Sequence, residues 1–273
     1  MSGPTPYVPL DERGWRLAMG LRPLDLSRWL EVDRHRDEDL AQKAALLADR
    51  RDLVVATRPE GDDASRELLD EVLAWLATHR PDLASAADPL EHPIVAASRL
   101  IQEDLCVLVR SDEWRLQAAS VCFPSRWDLA SKIGTTLDQI HRPVPGYDEE
   151  LARPTNSTFD RLKPERPFWR LNWTLIDNPD LHQPVRNPGA PHGGLPDWFF
   201  RVERQTIRRL PASGAVVFTI HNYVSALGEM VDADGSFAEN LLRAIDEAPP
   251  AMKDYKGWQG VSDHLRSVLN PSP

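Results

Sequence analysis

Two period patterns divide the chain. In DEDLAQKAALLADR (37–50) and DASRELLDEVLAWLATHR (63–80) apolar positions recur at helical spacing, with Leu68, Leu69, Val72, Leu73 and Leu76 on one stripe. Both segments are predicted helices. Ahead of them, residues 1–30 form an extended Pro-rich arm that runs into LDLSRWLEVD. Behind them, a Pro- and Asp-punctuated loop (79–93) leads to a short helix in IVAASRLIQED. The period then changes. LCVLVR and WRLQAASVCF read as two strands around a turn at SDE. Helical pieces follow at 126–141 and about 147–162, then strand-like runs at 167–177, 197–210 and 215–227, the last two joined by PASG. The loop between the first two of these runs, 178–196, is long enough to suggest function or mobility. A final helix, FAENLLRAIDEA, and a polar tail close the chain.

A hairpin, a helical excursion and three long antiparallel strands predict an α+β fold with a five-stranded antiparallel sheet, not alternating βαβ units. Residues 1–98 are expected to be an arm and helices packed on a core formed by 99–273, the two making one compact unit. No Gly-rich phosphate loop is present, because GLRPLD and PHGGLP do not lie between a strand and a helix.

Composition narrows the function classes. The formal net charge of −10 argues against a nucleic-acid surface. No apolar run approaches the roughly 18 residues of a membrane span. The first residues lack the basic-then-apolar pattern of a signal peptide, so a cytoplasmic location is expected. Of the two cysteines, Cys106 should lie opposite residue 118 or 119 across the hairpin rather than opposite Cys122, which disfavours a disulfide. Two cysteines are also too few for a typical iron–sulfur cluster.

Several residues carry candidate chemistry, each beside a plainer reading. In the 126–141 helix, Ser125 with Asp128 resembles a capping box, and Leu129, Ile133, Leu137 and Ile140 form one apolar face. His141 lies about 40° from Leu137 around the helix and borders that face. Pro143 ends the helix and Pro145 stiffens the exit. His141 is either a haem or metal ligand on a rigid mount or a helix-terminal ring facing the dipole. In RPFWRLNWTLID, Trp169, Leu171, Trp173 and Leu175 share one face and Arg170, Asn172 and Thr174 the other. In FFRVERQTIRRLP, Arg201, Glu203 and Gln205 alternate with Arg204, Thr206 and Arg208. A strand polar on both faces is either an edge strand guarded by charge or part of a ligand site. His221 and Tyr223 share a face, as a proton-transfer pair or a buried hydrogen-bonded pair. His182 and His192 lack a metal-ligand spacing, and His35, His79, His92 and His264 read as surface residues.

Six blocks in order resemble one family: MGLRPLDLSRWLEVD (19–33), IQEDLCVLV (101–109), VCFPSRWDLASKIG (121–134), IHRPVP (140–145), WRLNWTL (169–175) and VERQTIRRLPASGAVVFTI (202–220). Together they are similar to the haem-dependent oxidative N-demethylases. The resemblance implies a PAS-like haem domain with added helices, binding haem b and its iron. It implies dioxygen-dependent removal of an N-methyl group from a small methylated amine, releasing formaldehyde. Electrons would come from reductase subunits carrying flavin and iron–sulfur centres. No nucleic acid and no membrane are expected among the partners, on the net charge and the lack of a long apolar run. In haem-binding PAS proteins the ligand histidine comes from the helical segment between the second and third strands, where His141 stands, with His221 its rival. Arg170, Arg201 and Arg204 become candidates for the haem propionates or for gating the pocket. Glu203 is a candidate to pair with a cationic amine, and Tyr223 to donate near iron-bound oxygen. The alternative is a non-catalytic PAS-type module that senses haem or a small ligand.

Overall fold

A computed structural model describes residues 4–185 and 192–269. Its strands are Arg22–Pro23 (β1), Val55–Thr57 (β2), Asp104–Arg110 (β3), Trp114–Ser120 (β4), Phe168–Ile176 (β5), Phe199–Arg209 (β6) and Val216–Ala226 (β7). They form one antiparallel sheet in the order β1-β5-β6-β7-β3-β4-β2. The helices are Arg36–Asp49 (α1), Arg51–Val54 (α2), Asp62–His79 (α3), Pro93–Ser98 (α4), Leu137–His141 (α5), Ala152–Arg161 (α6), Leu227–Ala233 (α7), Phe237–Glu247 (α8), Pro250–Lys256 (α9) and Val261–Leu269 (α10). None among the described residues is long and apolar enough to cross a membrane.

The α+β expectation holds, and the five long strands are where the patterning put them. The sheet has seven strands rather than five, because β1 and β2 add short edges. Alternation sorts the side chains onto two faces. Register places Leu171 beside Arg204 and His221, and Trp173 beside Val202 and Tyr223, on the first face. It places Arg170 beside Gln205, and Asn172 beside Glu203 and Asn222, on the second. Cys106 pairs with Ala119, as hairpin geometry required, and both cysteines are free.

Two packed layers cover the first face. At the β3 end, Leu68, Val72 and Leu76 of α3 bury against Leu105, Val107 and Val217. At the β5 end, Phe237, Leu241 and Ile245 of α8 bury against Leu175, Phe200 and Val202. Helix α3 also holds the β6–β7 turn, where Glu67 accepts from Ala212 N (2.6 Å) and Ser213 N (2.7 Å). The second face packs Cys106, Leu108, Ile207 and Val216 against Leu129, Leu137, Phe159 and Leu162 of the excursion between β4 and β5.

Three expectations change. The 126–141 helix is mostly turns; only Leu137–His141 is helical, and its cap is Thr136, not Ser125. Gly134, at φ +74°, breaks the run, and its N–H donates to Leu116 O (2.7 Å), which draws the segment onto β4. Strand β6 is not an edge, since it pairs along its length with β5 and β7. The polar tail is helical: α9 and α10 bring Met252, Val261 and Leu265 into the core. Between them Trp258 stacks on Trp173 at 4.8 Å and meets Trp15 edge-on at 5.9 Å.

That indole is 1% exposed, so Trp258→Ala leaves a cavity and should cost about 3–5 kcal/mol. Leu90→Ala, at a side chain 93% exposed, should stay within about 0.5 kcal/mol of the parent. Urea unfolding of the two variants measures both, and equal losses would contradict this packing.

Candidate functional site

The second face of β5 and β6 carries a row of polar side chains. Glu203 Oε2 receives two amide donors, Gln205 Nε2 at 2.7 Å and Asn172 Nδ2 at 3.1 Å. Its Oε1 has no hydrogen-bond partner among the described residues. Arg201, 1% exposed, donates to Phe123 O (2.6 Å), Leu181 O (3.1 Å) and Asn222 Oδ1 (2.9 Å). The loop that meets it is held by buried Asp104, which accepts from Cys122 N (2.7 Å) and Phe123 N (3.0 Å). Burial raises that carboxyl to about 6 despite the nearby Lys43 and the two N–H bonds.

Arg170 stands differently on the same face. Its Nε is enclosed and unpartnered, and its guanidinium makes no hydrogen bond or ion pair among the described residues. Burial lowers its pKa, opposed by the charge of Glu203. A buried polar group without a partner marks a place where something else belongs.

His141 ends α5 beside this row. Thr136 Oγ1 accepts from Gln139 N (3.2 Å), and Gln139 Oε1 accepts from Thr136 N (2.9 Å), so a capping box starts the short helix. At its end, His141 Nδ1 lies 2.8 Å from Leu137 O. A carbonyl only accepts, so Nδ1 carries the proton and Nε2 keeps the lone pair. The chain then turns back through Pro143, Pro145 and Gly146, whose φ is +79°. This return stacks Tyr147 on the imidazole at 4.8 Å and 15°. Burial lowers the pKa of His141, against the Leu137 hydrogen bond, and the Arg170 charge lowers it further. The ring is therefore neutral, oriented, and open at Nε2.

His221 has the opposite setting, on the first face. Its Nε2 lies 3.2 Å from Asp33 Oδ2 and its Nδ1 3.4 Å from Glu103 Oε1. Burial alone would lower its pKa; Asp33 and Glu103 outweigh that and raise it to about 10. An imidazolium has no lone pair to give a metal. Tyr223 and Tyr7 both donate to Glu31, and Arg204 pairs with Glu31 Oε1 at 3.1 Å while donating to Arg28 O and to Trp29 O (3.3 Å). Lys43 Nζ caps the same region through Ile101 O (2.8 Å) and Glu103 O (2.7 Å).

The seven candidates thus separate. His141, Arg170, Arg201 and Glu203 share the second face; Arg204, His221 and Tyr223 lie across the sheet in a network that binds the arm. His182 Nδ1 is tied to Cys122 O at 2.7 Å. Among the described residues no three His, Cys, Asp or Glu side chains converge to hold a bare metal ion. Sequence reasoning missed Lys256, which reaches the row from α9: Nζ donates to Trp173 O (2.8 Å) and lies 3.4 Å from Asn172 Oδ1. The tail carried no pattern that would have found it.

The model of one protein family, described as haem-dependent oxidative N-demethylase, alpha subunit-like, matches residues 20–266. The chain belongs to this family. The resemblance of the six sequence blocks is thereby borne out. The N-demethylase family name carries haem dependence, and the second face suits a haem. A porphyrin needs one axial donor and partners for its propionates. His141 Nε2 is an open donor, and Arg170 is a guanidinium without an anion.

The first-face network has its own pH signature. The folded pKa of His221 is raised, so its stabilisation is complete below about pH 6.5 and is lost as pH climbs through about 10. Those of Asp33 and Glu103 are lowered; for each, burial opposes and the His221 hydrogen bond leads the favourable causes. Their stabilisation is present above about pH 4.5 and fades as pH falls. The advantage of the native chain over His221→Leu should therefore peak between about pH 4.5 and 6.5 and shrink on both sides. Urea unfolding from about pH 3 to about pH 10 reads it, and a difference that stays constant across that whole span would sink the ion-pair assignment.

Proposed function

We propose that this protein is a haem-dependent oxidative N-demethylase subunit that removes a methyl group from a small methylated amine. The observation that carries the reading is His141: its proton is fixed on Nδ1 and its Nε2 is free, beside the unpartnered Arg170. On this reading His141 would hold the haem iron, and His221, held between two carboxylates, would not. Connectivity supports a PAS-like frame, with the β3–β4 hairpin, a helical excursion, and then β5, β6 and β7 returning to pair with β3. His141 lies in that excursion, close enough to Arg170 of the polar row for that charge to lower its pKa.

Haem b, when bound, supplies the iron that activates dioxygen. The chain's residues do the rest. Leu137 O and Tyr147 hold the imidazole in one tautomer and one plane, and Arg170 neutralises a propionate. Glu203, with Oε2 held by two amides, presents Oε1 to a methylammonium and can accept its proton there, since oxidation at nitrogen's neighbour needs the neutral amine. Arg201 and Asp104 position the loop that closes the row. Arg204, His221 and Tyr223 hold the arm and touch no reacting atom. Per methyl group the change consumes dioxygen, two electrons and two protons; one oxygen atom leaves in formaldehyde and the other in water. Membership of an alpha-subunit-like family implies further subunits, and on this reading those subunits would carry the flavin and iron–sulfur centres for electron supply.

An absorption spectrum of the purified protein with added haem tests the ligand. A Soret band is expected in the native protein and in His221→Gln, and its loss or strong shift in His141→Ala. Haem uptake unchanged by His141→Ala would overturn the assignment. Formaldehyde release from methylated amines, given oxygen and a reductant, separates enzyme from sensor; Glu203→Gln should lower it roughly 100-fold or more. A loaded protein that releases none from any methylated amine would favour a sensing role.

A further inference from the structure

The second face of β5 holds more positive charge than the chain answers. Arg170 has no hydrogen bond or ion pair among the described residues. Lys256 has no carboxylate partner either; it donates to a main-chain carbonyl and approaches an amide oxygen. Glu203 is the carboxylate whose charge reaches both, and two amides already occupy one of its oxygens. Burial drives the Lys256 ammonium down to about 8 against the pull of Glu203, and Arg170 lowers it further. Two half-buried cations sharing one distant anion is a costly arrangement unless an anionic ligand completes it.

The placement of Lys256 is not accidental to a mobile tail. Strand β1 pairs only with Phe168 and Trp169, so β5 has no strand partner on that side from Arg170 onward. Trp258 is stacked on Trp173 from the first face, and Gly257, at φ +73°, turns the chain between them. The Lys256 side chain passes over this edge and stops at Asn172, on the second face. Asn172 is two residues from Arg170 on that face, so the cations are anchored about 7 Å apart along one strand.

We infer that Arg170 and Lys256 form a two-cation seat for paired carboxylates at the free edge of β5, filled by the two propionates of the haem. The inference rests on the haem reading of His141 and extends it: the C-terminal helices become part of the haem site. Haem loading then ties α9 to β5.

The test compares haem with its dimethyl ester, which lacks the propionate charges, by Soret titration of the full chain stripped of haem. The native protein should prefer haem over the ester. Lys256→Met should weaken haem binding roughly ten- to a hundredfold while leaving ester binding unchanged, the size of a lost charge-assisted hydrogen bond. Lys253→Met, whose Nζ bonds Asp246 O on the outside of α9, should change neither. Equal weakening of haem and ester by Lys256→Met, or no weakening of either, overturns the seat. If the native chain takes up no haem, the haem reading fails and the seat is read with succinate. A rise in thermal midpoint that Lys256→Met abolishes then keeps the seat, with a free dicarboxylate as its source. No rise overturns it.

Discussion

Three arginines buried in one central strand constrain this fold. Arg201, Arg204 and Arg208 of β6 are enclosed on both faces of a sheet that covers them with β5 and β7. Leaving such a charge unpartnered costs about 3–5 kcal/mol. Each guanidinium therefore draws in a distant segment. Arg201 takes the carbonyls of Phe123 and Leu181. Arg204 takes those of Arg28 and Trp29 together with Glu31. Arg208 pairs with Glu71 of α3 and lies over the Trp29 ring at 4.5 Å. The arm, the crossing loop and the longest helix are thus placed by charges on β6 as much as by apolar packing.

The same accounting separates scaffold from site. On the first face the charges are paired: His221 faces two carboxylates, and Tyr7, Tyr223 and Arg204 converge on Glu31, although Glu103 Oε2 and Trp29 Nε1 stay without a hydrogen bond among the described residues. On the second face Arg170 has no anion among the described residues, and the lone pair of His141 Nε2 and Glu203 Oε1 are unused. Buried polar groups in folded proteins are nearly always satisfied, so the enclosed, unpartnered Arg170 Nε and Asn222 Nδ2 mark this face as a place for a ligand. Two histidines that were rivals in sequence differ here because one is partnered across the chain and the other locally. Asp33 is far from His221 in sequence, whereas the partner of His141 is one helical turn away.

That difference explains what the sequence could disclose. Periodicity located α1, α3, the five long strands and the faces of β5, β6 and β7, because each runs several turns or several alternations. It failed where elements are too short to repeat their period: β1 has two residues and β2 three. It over-read 126–141, since Leu129, Ile133, Leu137 and Ile140 keep helical spacing although a left-handed glycine breaks the backbone between them. The tail hid two helices whose apolar faces are interrupted by Pro, Lys and Gly. His141 was legible from its proline exit, and the family from ordered blocks. The partners that give each residue its chemistry, Leu137 O, Glu31, Asp33, Glu103 and Lys256, were not, because tertiary contact rather than local pattern creates them.

The character of the wall facing His141 bears on whether this is a catalyst or a sensor. A pocket that only holds a diatomic gas has little need of ionised groups, because each one buried there must be solvated by the protein. Here the wall is Glu203, Asn172, Gln205 and Asn222, with two amides already orienting the carboxylate. A carboxylate in that position is worth its desolvation cost only where a cation answers it. Arg170 and Lys256 feel its charge without pairing to it. On the haem reading the propionates would answer those two cations, and Glu203 would keep one oxygen for another partner. A methylammonium brings the compensating charge, a hydrogen-bond donor for that oxygen, and the methyl group to be oxidised. The polar wall therefore favours an amine-oxidising site over a gas-binding one.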